Sequence, residues 1–437
     1  MEAKAGDGVK ITAKDEIREG ILMPNESKDS IVIKLDNGYN IGIERKRIES
    51  IKMIEKPREK SLKPKIDIKK DSKKPTIAVL HTGGTIASKV DYRTGGVIAS
   101  FSDEDFVSMF PEINDIANIR TSLVSNMMSE DMTFSHYKKI ATAIEKEIKN
   151  NADGIIIGHG TDTLAVTSAA LSFIFENLPI PVLLVGSQRS TDRGSTDAAA
   201  NLICAAEFIA KTDFAGVAIC MHDSTSDNNC AILPATKTKK LHTSRRDAFK
   251  PVNDTIIARV NYDTREIHFI KNNYNKKSNY KPYNEKNNEK LIVKTNFEDK
   301  VAIVKTYPNM RPDIVDALTK KKYRGIVFEG TGLGHAPTNI EENLPNYRAL
   351  KKFIDNGGIV VVTSQCLFGA VHRDVYVNLR RLGNIGCIFG RDMLSETAFV
   401  KLAWLLGNFK KDEVKEMISK NLRGEINERL GKDEFIC

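Results

Sequence analysis

Two threonine-containing motifs constrain what this chain can fold into more than any other feature of the sequence. His-Thr-Gly-Gly-Thr-Ile-Ala at 81–87 follows the short apolar run 76–80, and Gly-His-Gly-Thr-Asp-Thr at 158–163 follows the apolar run 154–157. Short apolar runs of this kind are typical of buried parallel strands. Open α/β sheets bind ligands at the carboxyl ends of such strands. The motifs therefore predict an α/β fold with polar side chains gathered at one edge of a parallel sheet.

The second motif combines a hydroxyl group with a carboxylate. Thr161 and Asp162 precede an amphipathic segment, 164–175, so we expect them at a helix N-terminus among unpaired backbone N–H groups. A threonine hydroxyl is a poor nucleophile near neutral pH and needs a neighbouring base. Asp162 supplies a carboxylate and 237–249 supplies several lysines, among which the sequence alone does not choose. One such threonine usually caps a helix, whereas two such motifs indicate a hydroxyl nucleophile.

The hydrophobic pattern divides the chain into three domains and a linker. Residues 1–56 alternate in a strand-like way around the hairpin signal Asp-Asn-Gly at 36–38, which predicts a small all-β barrel of the SH3 or Tudor type. Residues 57–75 are rich in lysine and read as a basic linker. Strand and helix patterns then alternate, which predicts two α/β domains with open, mostly parallel sheets at 76–295 and 296–437.

Positive charge is unevenly placed along the chain. The net charge is +9, and thirteen lysines and arginines stand against five acids between positions 45 and 74. Further basic stretches cover 237–250 and 271–290. Two interpretations stay open, a surface for a polyanionic partner such as RNA and a solvated linker with solvated loops.

Several common kinds of site are absent from the sequence. There is no phosphate-binding P-loop, and 81–87 lacks the spacing of a dinucleotide fingerprint. No apolar run is long enough to span a bilayer, 1–10 has no signal-peptide core, and the six cysteines form no Cys-x-x-Cys pair. We therefore expect a cytoplasmic protein without a membrane segment, with reduced thiols and without a metal site. His81 and His159 are expected to pack or form hydrogen bonds rather than bind a metal.

The two motifs together resemble the paired signatures of the L-asparaginase/glutaminase family. The resemblance runs from about residue 76 to 407 and includes Ser-Glu-Asp-Met at 129–132 and Arg-Gly-Ser-Thr-Asp at 193–197. It implies an asparaginase-like fold and hydrolysis of a side-chain amide through an acylated threonine. In the second of these segments, Arg193 and Asp197 are expected to brace a loop, and Asp197 is expected to cap the helix that follows.

The resemblance assigns roles to individual residues by motif position. Thr85 corresponds to the acylated threonine of the family. A second catalytic set corresponds to Thr161, Asp162 and Lys240.

Substrate-binding positions are implied in the same way. Tyr92 corresponds to the tyrosine that helps to activate the nucleophile, and Ser129 and Asp162 correspond to the groups that hold the α-carboxylate and α-amino groups of the substrate. Glu130, beside Ser129, adds a carboxylate that could pair with the substrate ammonium. The chain departs from the pattern at Glu130, where glutamine is common, and at His335, where asparagine is usual. No glutamate near 374–378 matches the acid that a neighbouring protomer donates in the family.

The barrel and linker narrow the resemblance to the asparaginase-like subunits of archaeal tRNA-dependent amidotransferases. The phrases Met-His-Asp-Ser at 221–224 and Leu-His-Thr-Ser-Arg-Arg-Asp-Ala-Phe at 241–249 also belong to that resemblance. It implies that the chain releases ammonia from glutamine or asparagine and holds no cofactor of its own. A partner, the E subunit of the amidotransferase, would use the ammonia with ATP and Mg²⁺ to convert Glu-tRNA(Gln) to Gln-tRNA(Gln), with the tRNA bound mainly by the partner.

The implied assembly is a homodimer of this chain within a heterotetramer. The alternative is a stand-alone cytoplasmic L-asparaginase. A third hypothesis, an asparaginase-like scaffold without activity, is disfavoured because all four catalytic residue types are present.

Overall fold

The computed structural model describes residues 3–25, 27–36, 39–54, 71–83, 89–90, 97–98, 103–191, 194–277, 290–431 and 435. Thr85, Tyr92 and Arg193 lie outside the described residues, as do 55–56 of the N-terminal domain and 57–70 of the basic linker.

The N-terminal domain is an antiparallel sheet with its own small core. Its strands are β1 (Gly8–Ala13), β2 (Glu16–Leu22), β3 (Ser30–Lys34), β4 (Asn40–Glu44) and β5 (Ile48–Met53). The order β4-β3-β2-β1-β5 pairs each strand only with its neighbours, so backbone pairing leaves β4 and β5 as two separate edges in the described part of the chain. Alternate side chains turn inward, and Val9, Ile11, Ile31, Ile33 and Ile43 form the buried cluster. The prediction of four or five short strands in this region is confirmed.

The second domain is built on an eight-stranded sheet. Its strands are β6 (Thr76–His81), β9 (Asn118–Leu123), β10 (Gly154–Gly158), β12 (Pro181–Val185), β13 (Gly216–His222), β14 (Asn229–Pro234), β17 (Ala258–Asn261) and β18 (Ile267–Phe269). The order is β18-β17-β14-β13-β12-β10-β6-β9. The neighbouring strands β9, β6, β10, β12 and β13 are parallel to one another, whereas β14, β17 and β18 pair antiparallel. The predicted parallel sheet is thus present over five strands, and three antiparallel strands extend it.

Helices and three short ladders complete this domain. The helices are α1 (Asp103–Met109), α2 (Ile113–Ile116), α3 (Phe134–Lys149), α4 (Leu164–Ile174) and α5 (Ala198–Lys211). The ladders pair β7 (Lys89–Val90) with β8 (Val97–Ile98), β11 (Phe175–Glu176) with β19 (Ile292–Val293), and β15 (Thr238–Lys240) with β16 (Phe249–Pro251).

The C-terminal domain carries a smaller sheet that is parallel throughout. Its strands, in spatial order, are β20 (Val301–Lys305), β21 (Gly325–Gly330), β22 (Ile359–Ser364) and β23 (Ile388–Phe389). Its helices are α6 (Asp313–Lys320), α7 (Leu344–Asp355), α8 (Val377–Asn384), α9 (Ser395–Asn408) and α10 (Lys411–Met417).

One hydrophobic cluster spans both α/β domains, and each domain has a further cluster of its own. Helices α4 and α9 are buried on nearly all sides, as expected for helices inside a large core, and the rings of Phe173 and Trp404 stack 5.8 Å apart. The same cluster includes Val361 of β22 and Leu184 of β12, so it extends across both sheets. The two α/β domains therefore bury their helices against each other.

The N-terminal sheet touches this body at its β3–β4 connection. The Tyr39 hydroxyl is hydrogen-bonded to the Ser195 hydroxyl, which lies in the loop before α5. The end of the linker is also fixed, because the Asp71 N–H donates to Asn118 Oδ1 at 2.9 Å and the Lys74 ammonium donates to the Asn114 carbonyl at 2.8 Å. Residues 71–75, which composition alone places in the linker, thus pack on the α/β body.

Candidate active site

The second threonine motif forms the turn between β10 and α4. His159 is fully buried, its Nδ1 lies 2.7 Å from the Gly160 carbonyl, and its Nε2 lies 3.0 Å from Thr167 Oγ1. Burial lowers the pKa of His159 to about 4, so near neutral pH the ring is uncharged, with Nδ1–H donating and Nε2 accepting. The expectation that His159 packs and forms hydrogen bonds is confirmed. It fixes the peptide directly before Thr161.

A lysine joins the hydroxyl and carboxylate of this motif. Lys240 Nζ donates to Thr161 Oγ1 at 2.9 Å and to Asp162 Oδ1 at 2.8 Å. Its side chain is 14% exposed, whereas that of Asp162 is 66% exposed, so the carboxylate faces solvent and the amine is largely enclosed. Lys240 is the last residue of β15 and pairs with Phe249 of β16. The structure thus brings together three of the residues selected by resemblance.

This arrangement can move a proton. A proton moving from the Thr161 hydroxyl to the Lys240 nitrogen, 2.9 Å away, would leave the ammonium beside the Asp162 carboxylate at 2.8 Å. The resulting alkoxide-like oxygen can attack a carbonyl or draw a proton from water beside it. The geometry is that of a nucleophile or a proton relay for acyl transfer.

The first motif is fastened to the end of the same strand. The Thr82 N–H and Thr82 Oγ1–H both donate to the Gly158 carbonyl at 3.0 Å. Gly83 has φ +108°, and a Cβ at this position would lie 2.2 Å from the Met127 carbonyl oxygen, so the motif requires glycine here. Thr85 follows two residues later and, with Tyr92, falls outside the described residues.

Ser129 lies against the second motif. It is buried, and its carbonyl accepts a hydrogen bond from Thr163 Oγ1 at 2.7 Å. A Cβ on Gly160 would lie 2.8 Å from Ser129 Oγ, so the close approach depends on that glycine. Glu130 follows in a 3₁₀ turn, Ser129–Asp131, with its side chain exposed. The Ser129 segment therefore forms one wall of the site.

Sequence reasoning missed Gln188. Thr161 Oγ1 donates to Gln188 Oε1 at 3.4 Å, so the hydroxyl lies between a lysine and an amide. Gln188 follows β12, whose carboxyl end is at the same edge of the sheet as the end of β10. The strand-end rule that singled out the threonine motifs would have found it.

Asp197 holds the loop that carries Gln188. Its buried carboxylate accepts hydrogen bonds from the Ser187 hydroxyl at 2.9 Å and from the N–H groups of Gln188 and Arg189 at 3.1 Å each. The loop-bracing role expected for Asp197 is confirmed. The expected cap is wrong: Asp197 occupies the N-cap position of α5 without a side-chain capping bond, because its carboxylate is already engaged by the loop.

The basic stretch at 237–250 is largely neutralised by acids. Arg245 binds Asp247 through two bonds of 2.8 Å, and this guanidinium lowers the pKa of the Asp247 carboxyl. The other pairs are Lys237 with Asp392, Lys239 with Glu396, Lys240 with Asp162, Arg246 with Asp227 and Lys250 with Asp247. For this stretch the structure favours internal ion pairs over a surface for a polyanion.

The C-terminal domain contributes an exposed apolar edge near His335. Asn378 Nδ2 lies 3.2 Å from His335 Nδ1, and the Tyr376 ring meets the imidazole edge-on with centroids 4.9 Å apart. Val375 and Val377 are 56% and 77% exposed. Exposed apolar side chains in one segment are typical of interaction surfaces.

Among the residues that the structure describes, no group of three histidine, cysteine, aspartate or glutamate side chains could hold a metal ion. Within the same ranges, no helix is long and apolar enough to cross a membrane.

Comparison with known families divides the chain as the fold does. Residues 3–54 match the family described as GatD N-terminal domain, 76–275 match Asparaginase, N-terminal, and 300–418 match Glutaminase/Asparaginase C-terminal domain.

Related proteins match over nearly the whole chain. The D subunit of the glutamyl-tRNA(Gln) amidotransferase of Pyrococcus furiosus is 44% identical over 99% of this chain and 95% of its own length. The protein of the same name from Methanococcus maripaludis is 41% identical over 97% and 98%. Among solved structures, the thermostable L-asparaginase from Thermococcus kodakarensis has a TM-score of 0.70 at 30% identity, covering 81% of this chain and 100% of that one. L-asparaginase I from Vibrio cholerae has a TM-score of 0.68 at 27% identity, covering 81% and 99%.

Proposed function

The chain belongs to the family of glutamyl-tRNA(Gln) amidotransferase D subunits, and on that premise we propose that it releases ammonia from the side-chain amide of glutamine or asparagine. The observation that carries the proposal is the Lys240 ammonium between Thr161 Oγ1 and Asp162 Oδ1, at the strand edge where both threonine motifs converge. A lysine enclosed between a hydroxyl and a carboxylate is suited to proton transfer during acyl transfer.

The chemistry proceeds in two steps. The Thr85 oxygen bonds to the amide carbon and its proton passes to the neighbouring base. The C–N bond then breaks, and the nitrogen takes up a proton and leaves as ammonia. Water attacks the resulting threonyl ester, which restores Thr85 and releases glutamate or aspartate. Thr161, Lys240 and Asp162 relay the protons.

Substrate binding is assigned to the walls of the same site. Ser129 and Asp162 hold the α-carboxylate and α-amino groups, Glu130 supplies a further carboxylate for the ammonium, and Tyr92 assists Thr85. We further propose that this chain needs no metal and no cofactor of its own, so prolonged chelation should leave amide hydrolysis unchanged.

The ammonia is destined for a partner in the cytoplasm. The E subunit of the amidotransferase would bind glutamate-charged tRNA(Gln) and use ATP and Mg²⁺ to convert it to Gln-tRNA(Gln). The chain would act as a homodimer within a heterotetramer, for which the exposed segment at Val375–Val377 offers an apolar surface. The match of 3–54 to the GatD N-terminal domain favours this function over a stand-alone asparaginase.

Replacing the nucleophile tests the chemistry. Thr85→Val should keep the fold and abolish ammonia release from glutamine and asparagine, because the hydroxyl is lost while the volume is nearly retained. Thr142→Val, which alters a threonine bonded only to its own helix at Lys138, should leave the rate unchanged. Ammonia release by Thr85→Val at the parent rate would rule out the assignment.

Adding the partner tests the biological role. The isolated chain should hydrolyse amides weakly, and the E subunit with Glu-tRNA(Gln) should stimulate it strongly, because such control requires contacts that differ between idle and active states. Ammonia production is measured with the chain alone, with the E subunit added, and with both the E subunit and charged tRNA. Full turnover of asparagine by the lone chain would instead support the asparaginase alternative.

A further inference from the structure

Lys240 sits on a strand that is not part of the main sheet. Residues 237–240, here called the lysine strand, include β15, which has three residues and pairs only with β16 within the described part of the chain. Thr161 and Asp162, in contrast, follow β10 in the middle of the eight-stranded sheet. Backbone pairing in the main sheet therefore does not fix the distance between Lys240 and its two partners.

The other two lysines of the lysine strand bind the C-terminal domain. Lys237 Nζ forms an ion pair with the Asp392 carboxylate and donates to the Asp392 carbonyl at 3.2 Å, with the two side chains only 0% and 2% exposed. Lys239 Nζ lies 2.6 Å from Glu396 Oε1. Both acids flank the start of α9 at Ser395. The lysine strand is thus attached to the helix that packs on α4.

The alternation of side chains along a strand lets Lys239 bind the C-terminal domain while Lys240 serves the site. Successive side chains of a strand point to opposite faces, so Lys239 can bind Glu396 while Lys240 faces Thr161 and Asp162. Asp392 is itself held, because its Oδ1 accepts the Asn427 N–H at 3.0 Å. A shift at the start of α9 would therefore be transmitted to the Lys240 amine.

We propose that Asp392 and Glu396 are positioning residues that set the place of the Lys240 amine across the domain interface. The inference rests on the proposed function, because it concerns the same proton relay. Displacing a reacting group by about 1 Å can cost roughly 10²-fold in rate. Glu396 is the better residue to test, since its pair with Lys239 is partly exposed, at 38% and 29%, and its loss leaves no buried charge.

The experiment measures amide hydrolysis by the full chain with its partner and charged tRNA. Glu396→Gln and Lys239→Met should each lower kcat about tenfold per folded enzyme and leave KM for the amide unchanged, because Lys240 acts in proton transfer rather than in binding. The double variant should be no slower than either single one, since both remove the same contact. The exchange Lys239→Glu with Glu396→Lys should restore most of kcat. The control is Glu298→Gln, which should keep the parent kcat. It removes an ion pair with Arg324, 2.8 Å long, that does not involve the lysine strand.

Two outcomes would overturn the inference. One is a parent kcat per folded enzyme in Glu396→Gln, with only the melting temperature lowered. The other is a charge exchange that recovers stability but not kcat. Thr85→Val and Lys240→Ala run in the same assay: if they are inactive while Glu396→Gln is fully active, only the positioning role fails. If Thr85→Val is active, the proposed function itself fails.

Discussion

His159 shows how burial fixes the charge state of a side chain beside a site. Its ring has no solvent contact, and both nitrogens have hydrogen-bond partners that suit the neutral form. The role of such a residue is to hold the Gly160 peptide rather than to exchange protons. In a cationic ring Nε2 would carry a proton, so the Thr167 hydroxyl would have to accept a hydrogen bond from it instead of donating one.

This residue makes stability depend on pH. In the unfolded chain the pKa of His159 is near 6.5, whereas in the folded chain burial lowers this pKa to about 4. As pH falls from 6.5 to 4, protonation of His159 in the unfolded chain should therefore lower the free energy of unfolding by about 3 kcal/mol. Denaturant titrations over that range should show a smaller loss in His159→Gln than in the parent chain, and an unchanged loss in the exposed control His268→Gln. Equal losses in all three would contradict the assignment.

Predictability from sequence also varied by residue. Thr161 and Asp162 could be predicted because they follow the apolar run 154–157. Lys240 could be chosen among its neighbours only by resemblance, because the choice depends on Lys237 and Lys239 binding acids more than 150 residues away. Gln188 belongs to no recognisable motif. Only its position shortly after the end of β12 could have marked it as a residue of the site.

At the scale of elements, burial decided what the sequence could predict. The parallel strands β6 and β10 are buried and apolar, and the apolar runs 76–80 and 154–157 predict their positions to within one residue. Strand β9 was missed, because it forms the edge of the sheet and Asn-Ile-Arg-Thr-Ser-Leu has little apolar pattern. Strands β17 and β18, of four and three residues, were missed too, since such short antiparallel strands carry too few side chains for a clear alternation.

A second buried ion pair joins α9 to the segment after α10. Lys401 and Glu425 lie 2.6 Å apart with both side chains 0% exposed, and the Glu425 carboxylate also accepts the N–H groups of Leu422 and Arg423. Burial lowers the pKa of Lys401 and Glu425 opposes that shift. Removing one member of such a pair leaves an uncompensated buried charge.

Glu425→Gln should therefore lower the free energy of unfolding by about 3–5 kcal/mol. Chemical denaturation of the purified chain measures this change. The matched control is Asp355→Asn, which removes a pair with Lys351 of the same 2.6 Å length at the surface and should cost about 0–1 kcal/mol. A loss in Glu425→Gln no larger than that of the control would show that the pair is not needed for stability.

At the scale of the whole molecule, the N-terminal sheet has a hydrophobic cluster of its own, whereas one cluster crosses the boundary between the two α/β domains. Each α/β domain also has a separate cluster made of its own residues only. Residues 71–75 belong to the α/β body through their bonds to Asn118 and Asn114. The hydrophobic pattern predicts the strands and helices of each α/β domain but not the cluster that spans both domains. A helix that is apolar on all sides, such as α4 or α9, does not show which sheet it packs against.

Deleting residues 1–70 should therefore leave a folded protein. Calorimetry of the 71–437 fragment should show one main transition within a few degrees of that in the full chain, because the α/β body loses no core residue. A fragment that begins at 76 should melt lower, since it lacks the bonds to Asn118. Two separate main transitions in the 71–437 fragment would contradict a shared core.

Lys237 and its partner Asp392 are 155 residues apart along the chain. A ribosome that adds about 5–20 residues per second needs roughly 8–30 s to translate that stretch. During this interval the nascent chain already contains both threonine motifs and Lys240 but lacks the two carboxylates, Asp392 and Glu396, that bind Lys237 and Lys239. The lysine strand therefore cannot gain its contacts with Asp392 and Glu396 until translation is almost complete.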